Sequence, residues 1–265
     1  MKQITPHSGK KIYFASDFHL GAPTDELSRK RELKIIQWLT HIEKDAQAVF
    51  LVGDIFDFWY EYKRVIPKGF VRLQGKIASM TDRGIEVYFF LGNHDMWMKQ
   101  YFSKELGVFM VSNELELKID DKQFYIAHGD GLGPGDYGYK FIKKVFRNKF
   151  CQFLFSGLHP SIGLSMAQYF SNKSRIHTGT KDINYSDKNA EWLYQFSKET
   201  LKTNPVDFFV FGHRHLPMDI RIEHSRYLNL GEWLNFHTYG EYHQGEMILK
   251  VWGDGSEIPY QGIKE

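Results

Sequence analysis

The sequence predicts a layered α/β fold, on three observations. Short apolar runs rich in β-branched and aromatic residues recur along the chain. Amphipathic helical segments separate the first three runs, and after Leu115 the rhythm turns to hairpin-like pairing. The first run, Lys11 to Ser16 (KIYFAS), leads into a helical segment from Glu26 to Lys44, which sets Leu27, Leu33, Ile36, Trp38 and Leu39 among charges. Ala48 to Val52 (AVFLV) follows, then a second helix from Phe70 to Met80 closed by Gly84, then Glu86 to Leu91 (EVYFFL). Leu115 to Ile119 and Gln123 to Ala127 flank Asp120-Asp121-Lys122 as a hairpin, and strands at Asp207 to Phe211, Tyr227 to Leu230 and Gly245 to Trp252 complete the set. Pairing of this kind fits a mixed sheet, or two packed sheets, better than a purely parallel one.

The chain is long enough, at 265 residues, to bury a full core. Its net charge of +2 gives no global electrostatic reason to bind nucleic acid, and no protein partner is inferable. Cys151 is the sole cysteine and cannot form an internal disulfide, and the polar start from Met1 to Lys11 lacks the apolar stretch of a signal peptide, so a cytoplasmic setting is expected. Nowhere do about 18 uncharged apolar residues run together, so a spanning helix is not expected.

A strand that reads as a continuous apolar run is covered on both faces, and in open α/β sheets ligands sit beyond its C-terminal end. The polar residues after these strands are therefore the ones to compare. The first strand ends in Ser16-Asp17-Phe18-His19 and the second in Gly53-Asp54-Ile55-Phe56-Asp57. The third ends in Gly92-Asn93-His94-Asp95, and two later ones in His128-Gly129-Asp130 and Gly212-His213-Arg214-His215. Each piece alone is an ordinary turn or cap. Together, five strand ends carry carboxylate, imidazole or amide donors. Alternation along an extended backbone aims Asp17 with His19, and His213 with His215, the same way. Such donors, without thiolates, suit manganese, iron or zinc. Seven of them (Asp17, His19, Asp54, Asn93, His128, His213 and His215) exceed what one ion needs, so two divalent ions bridged by a carboxylate are expected.

This order of motifs is similar to the calcineurin-like metallophosphoesterase superfamily, from Lys11 to Trp252. The resemblance implies a four-layer α/β/β/α sandwich. It also implies one ion held by Asp17, His19, Asp54 and His215, and another by Asp54, Asn93, His128 and His213, with Asp54 bridging. Catalytic roles fall by motif to Asn93, His94 and Asp95, with His94 beside the scissile phosphate and Asp95 orienting it.

The motifs define the reaction better than the substrate. Residues 131–188, opening with "GLGPGDYGY", interrupt the strand order as a helical insert or cap within a single domain spanning 1–265. Tyr137 to Arg175 holds seven Lys or Arg and no Asp or Glu. Tyr139, Ile142, Val145, Phe146 and Phe153 recur near helical spacing there, with Lys140, Lys143, Lys144 and Arg147 on the other face. A basic amphipathic helix reads as a membrane-surface element, an anionic-ligand clamp or a solvated cover of the core, and the apolar stretch from Cys151 favours a lid for a phosphate-bearing lipid. "GDIFDFW", "HGDGL" with "DYGY", and "GHRHLP" look like the UDP-2,3-diacylglucosamine pyrophosphatase branch of the superfamily.

That likeness implies hydrolysis of UDP-2,3-diacylglucosamine to UMP and 2,3-diacylglucosamine 1-phosphate in lipid A biosynthesis. Manganese is the implied metal, with a peripheral place on the cytoplasmic face of a Gram-negative inner membrane. It places Asp136 and Tyr139 near the substrate, and more loosely Ser171, Asn172, Lys173, Arg175 and Lys181. His94 stands where the best-known members of that branch carry arginine. The alternatives are a metallophosphatase for a soluble nucleotide or phosphoester, and a non-catalytic scaffold, which would be expected to have lost donors that this chain retains.

Overall fold

The computed structural model describes residues 2–134, 137–178, 185, 187–253 and 255–264, with backbone alone at 137–139, 142, 168, 170, 172–178 and 264. The chain opens with β1 (Lys2–Ile4) and β2 (Lys11–Ala15), followed by α1 (Asp25–Ile42), β3 (Ala46–Val52), α2 (Val71–Asp82) and β4 (Glu86–Phe90). Then come α3 (Tyr101–Glu105), β5 (Phe109–Val111), β6 (Leu115–Ile119) and β7 (Lys122–Ala127). Three helices, α4 (Tyr137–Arg147), α5 (Lys149–Ser156) and α6 (Pro160–Thr178), precede α7 (Trp192–Leu201). The rest is β8 (Phe208–Phe211), β9 (Met218–Ile222), β10 (Ser225–Asn229), β11 (Thr238–His243), β12 (Glu246–Gly253), β13 (Ser256–Pro259) and β14 (Ile263–Lys264).

Two seven-stranded sheets result, ordered β13-β12-β11-β2-β3-β4-β5 and β1-β6-β7-β8-β10-β9-β14. The period of two along each strand decides what lies between them. Ile12, Phe14, Phe50, Val52 and Phe90 point from the first sheet toward Leu117, Phe124, Ile126 and Val210 of the second. Their alternates Tyr13, Val49, Leu51, Val87 and Phe89 pack outward on Trp38 and Leu39 of α1 and on Leu73 and Ile77 of α2. Phe209, Phe211 and Tyr125 cover the far face of the second sheet against Leu193 and Tyr194 of α7. Helices, sheet, sheet and helix therefore stack as the expected four layers.

The structure differs from the sequence expectation in α1, in the helix expected from Asp187 and in strands β9 and β11. In α1 the buried stripe is Ile35, Trp38, Leu39 and Ile42, whereas Leu27 and Leu33 are 49% and 43% exposed. The helical turn of about 3.6 residues places Leu33 nearly opposite Ile35. The helix expected from Asp187 breaks into a 3₁₀ turn (Lys188–Ala190) and α7, with Glu191 extended between them (φ −78°, ψ 111°). Strands β9 and β11 carry too many polar residues to read as apolar runs; they form because each pairs with a neighbour, β9 with β10 and β11 with both β2 and β12.

Candidate metal centre

Parallel pairing of β2 with β3, of β3 with β4, and of β7 with β8 brings all five motif-bearing strand ends to one edge of the sandwich. Alternation is not what aims the donors. Asp17 (φ 55°), His19 (φ 44°), Asp54 (φ 53°), His213 (φ 65°) and His215 (φ 57°) all sit in the left-handed region, so the chain turns sharply at each donor as it leaves its strand. Such conformations cost non-glycine residues about 1–3 kcal/mol each and persist where the surroundings impose them. Neighbouring loops supply that constraint: Asp17 N–H donates to Gly53 O (3.0 Å), and His19 and Leu20 N–H donate to Asp54 O and Ile55 O (3.0 Å each). Gly92 and Gly212 leave room for the carboxylates. A Cβ on Gly92 would overlap the Asp54 carboxylate and backbone nitrogen, and one on Gly212 would meet Asp17 Oδ2 at 2.6 Å.

Asp17, His19, Asp54 and His215 present ligand atoms all within 4.8 Å of one another, as do Asp54, His128 and His213. Asp54 belongs to both groups. Its Oδ2 lies 3.3 Å from His128 Nε2 and 4.0 Å from His19 Nε2 and His94 Nε2, while Oδ1 accepts the His94 N–H at 2.8 Å. Asn93 Oδ1 joins the second group, 3.2 Å from His128 Nε2. In the first, His19 Nε2 and His215 Nε2 face each other at 3.1 Å, with Asp17 Oδ1 3.2 Å from the latter. Asp17 Oδ1, Asp54 Oδ2 and His19 Nδ1 are buried without a hydrogen-bond partner. Oxygen atoms left unsatisfied in this way cost free energy unless a cation takes them up, so the donor set fits two divalent ions. All seven donors expected from the sequence converge here.

His128 Nδ1 lies 2.9 Å from Val52 O. A carbonyl only accepts, so Nδ1 carries the proton and Nε2 faces the site as the ligand atom. The same logic fixes His94, whose Nδ1 donates to Asp57 O at 2.8 Å. Here the structure corrects the role expected of Asp95. Its carboxylate accepts from the backbone N–H groups of Gly92 (2.8 Å), Ile55 (2.9 Å) and Phe56 (3.4 Å), tying the loops after β3 and β4 together. Burial and the nearby Asp54 charge push Asp95 up to about 7, against the pull of those amides. Orientation of His94 falls instead to Asp57, the second carboxylate of G-D-x-x-D, whose Oδ1 lies 3.7 Å from His94 Nδ1 and 3.6 Å from His19 Nδ1. The hydrogen bond itself comes from the backbone carbonyl of Asp57, so nothing in the linear sequence separates Asp57 from Asp95.

Burial opposes the charged forms throughout, and the neighbours decide which survive. The nearby His19 and His215 rings outweigh desolvation and hold Asp17 well below the usual carboxylate range, and the charges of His128 and His94 lower Asp54 likewise. Against the same desolvation, contact with Asp17 and Asp57 raises His19 to about 9, and the Asp54 charge raises His128 well above its ordinary value. Burial and the His128 charge take His213 down to about 4. These neighbours favour protons on His19 and His128 near neutral pH, where metal ligation needs lone pairs. The stabilisation from His19 is full below its ordinary value of 6.5 and is lost as pH rises through about 9. Mixing metal-free protein with manganese at neutral pH in weak buffer should release protons, and metal affinity should climb toward pH 9; a pH-independent affinity without proton release would contradict this charge distribution.

Around the centre, Ser171 of α6 is buried and donates its hydroxyl to Asp57 Oδ2 at 3.0 Å. Asp136 and Lys181, and the side chains of Tyr139, Asn172, Lys173 and Arg175, lie outside the described residues. Three of the four basic residues of α4 are engaged by the protein: Lys140 donates to Gly133 O (2.6 Å), Lys143 to Asp130 O (2.6 Å), and Arg147 to Asn113 Oδ1 (2.8 Å). Phe146 and Phe155 pack on Trp97, and Phe155 also on Phe58 and Tyr60, seating α4 and α5 beside the second and third strand ends.

A two-sheet α/β sandwich with paired carboxylate–imidazole donor groups at its strand ends defines a metal-dependent hydrolase of phosphate compounds. The chain belongs to the calcineurin-like phosphoesterase family, whose model matches residues 10–217. It is similar to the UDP-2,3-diacylglucosamine hydrolase of Porphyromonas gingivalis, 36% identical over 258 residues, covering 92% of this chain and 98% of that protein. A protein of the same name from Haemophilus influenzae is 27% identical, over 84% of this chain and 91% of the relative. Among solved structures, the phosphoesterase Yfce from E. coli aligns with a TM-score of 0.45 at 14% identity, covering 94% of this chain and 96% of that one. No helix among the described residues is long and apolar enough to cross a membrane.

Proposed function

We propose that this chain hydrolyses the diphosphate of UDP-2,3-diacylglucosamine, giving UMP and 2,3-diacylglucosamine 1-phosphate, a step of lipid A biosynthesis. The observation that carries the reading is similarity over nearly the full length of both chains to a relative named for that activity. Asp17, His19, Asp54 and His215 would hold one ion, and Asp54, Asn93, His128 and His213 the other. Manganese is proposed, a choice among metals that share these donors. When bound, paired ions supply an activated water and offset charge developing on the phosphate oxygens.

The chain's own residues account for the rest. Asp57 holds His94 Nδ1 as a donor, so His94 can deliver a proton from Nε2 only as the imidazolium; in that form it offsets charge and protonates the departing oxygen. Water attacks the α-phosphorus and the sugar phosphate departs. Phe141, Phe150, Phe153, Leu154, Ile162 and Tyr169 leave more than half their surface exposed on α4 to α6, an apolar area that suits acyl chains and the cytoplasmic surface of an inner membrane. The insert of about 131–188 is read as this cover of a single domain, with Asp136, Tyr139, Ser171, Asn172, Lys173, Arg175 and Lys181 proposed near the uridine, glucosamine or phosphates.

UMP release from UDP-2,3-diacylglucosamine in detergent, with manganese and with a soluble phosphodiester as control, tests the reading. Manganese-dependent turnover of the lipid far above the control is expected, and in heavy-oxygen water the label should enter UMP. Turnover of the control alone would hand the centre to soluble phosphoesters, and label in the sugar phosphate would refute attack at the α-phosphorus.

A further inference from the structure

We propose that Glu191 and Arg214 form a positioning pair that sets the spacing of the two halves of the metal centre, an inference that rests on the metal-centre reading above. Arg214 lies between His213 and His215, and these two donors fall into different groups: His215 joins Asp17 and His19, and His213 joins His128, with Asp54 common to both. The single residue between them therefore governs how one half stands relative to the other. Both histidines are left-handed (φ 65° and 57°), and Arg214 N–H donates to Gly212 O at 2.7 Å, folding the chain tightly upon itself. A turn with two such residues needs an external constraint.

The Arg214 side chain supplies one. Its Nε and Nη2 donate to Oε2 and Oε1 of Glu191 at 2.9 and 3.0 Å, and its guanidinium lies over the Trp192 ring, 5.6 Å from the centroid. Both partners are buried, with 5% of Arg214 and 4% of Glu191 exposed. Glu191 is anchored in turn. It sits in the extended break before α7, and α7 is packed on the second sheet through Leu193 and Tyr194. The strained turn is thus held against a rigid helix by a planar, two-point fork, which fixes angle as well as distance. Stability alone is a weak reason for such a pair, because apolar residues of similar volume commonly serve a fold as well as a buried ion pair does.

The test uses the full chain with Arg214→Lys, which keeps the charge and removes the fork, and Glu191→Gln, which keeps the shape and removes the charge. Manganese bound per chain is measured by equilibrium dialysis, the paramagnetic resonance spectrum reports exchange between neighbouring manganese ions, and thermal unfolding of the metal-free protein controls for folding. Wild type should bind two ions with an exchange-coupled spectrum. Either variant that unfolds near the wild-type temperature should bind one of the ions about 10–100-fold more weakly, lose the coupled spectrum, and lose kcat with little change in KM. If Arg214→Lys fails to fold, Glu191→Gln answers the same question. Wild-type affinities and spectra in a folded variant would overturn the proposal and leave the pair as a fastening for α7. Fewer than two ions on the wild type would overturn the metal-centre reading itself, a separate outcome.

Discussion

Replacing Asp54 by Asn should cost the protein its second metal ion and nearly all of its turnover at once. The side chain is 1% exposed, and its Oδ2 stands between His128 on one side and His19 and His94 on the other. Asn preserves the shape and can still accept the His94 N–H, so the loop after β4 should stay in place. What disappears is the charge that holds protons on the imidazoles in the metal-free protein and would bridge the ions in the loaded one. Metal analysis should find at most one tightly held ion per chain. Turnover should fall at least roughly a thousandfold, corresponding to the several kcal/mol that paired ions contribute to such a displacement. Two tightly bound ions in the variant would remove Asp54 from the bridging position.

His94→Ala should show the opposite split, with metal content retained and rate lost. The ring lies outside both ligand groups that share Asp54 and is grouped instead with His19 and Asp57, with its Nε2 still 4.0 Å from Asp54. Loss of a positioned proton donor costs about 10²–10⁴-fold. Burial lowers the affinity of His94 for its second proton, against the pull of Asp54 and Asp57, so the donating form becomes scarcer as pH rises. The wild-type rate should accordingly carry a limb that declines with rising pH, and the variant should lack it. Equal rates with and without the imidazole, or the same limb in both, would exclude proton delivery by His94.

Much of this architecture was legible in the sequence because burial writes itself into composition. Runs such as Ala48 to Val52 must be covered on both faces, and the polar residues after them then stand out. Strand β6 appears with the bounds read from its alternation, and the other expected strands differ by a residue or two at their ends. Strands β9 and β11 stayed hidden, since a strand such as Thr238–His243 is built by its partners more than by its own pattern. The same limit applies to the charges of α4. Their spacing describes a basic face, yet Lys143 and Arg147 spend their donors on the protein, and only the approach of the loops at 112–113 and 130 decides that.

For the centre itself, the sequence determined the inventory: seven donors, their order, and the glycines that flank them. Tertiary structure decided how they are used. Left-handed turns, not strand alternation, aim Asp17, His19, His213 and His215, because neighbouring loops clamp backbone conformations that no local pattern encodes. It also assigned Asp57, not Asp95, to the His94 ring, and set Glu191 against Arg214 across 23 positions of sequence. The physical reason is the same in each case. Residue type limits what a side chain can do chemically, but protonation, orientation and partnership depend on distance and burial, which exist only once the two sheets have packed.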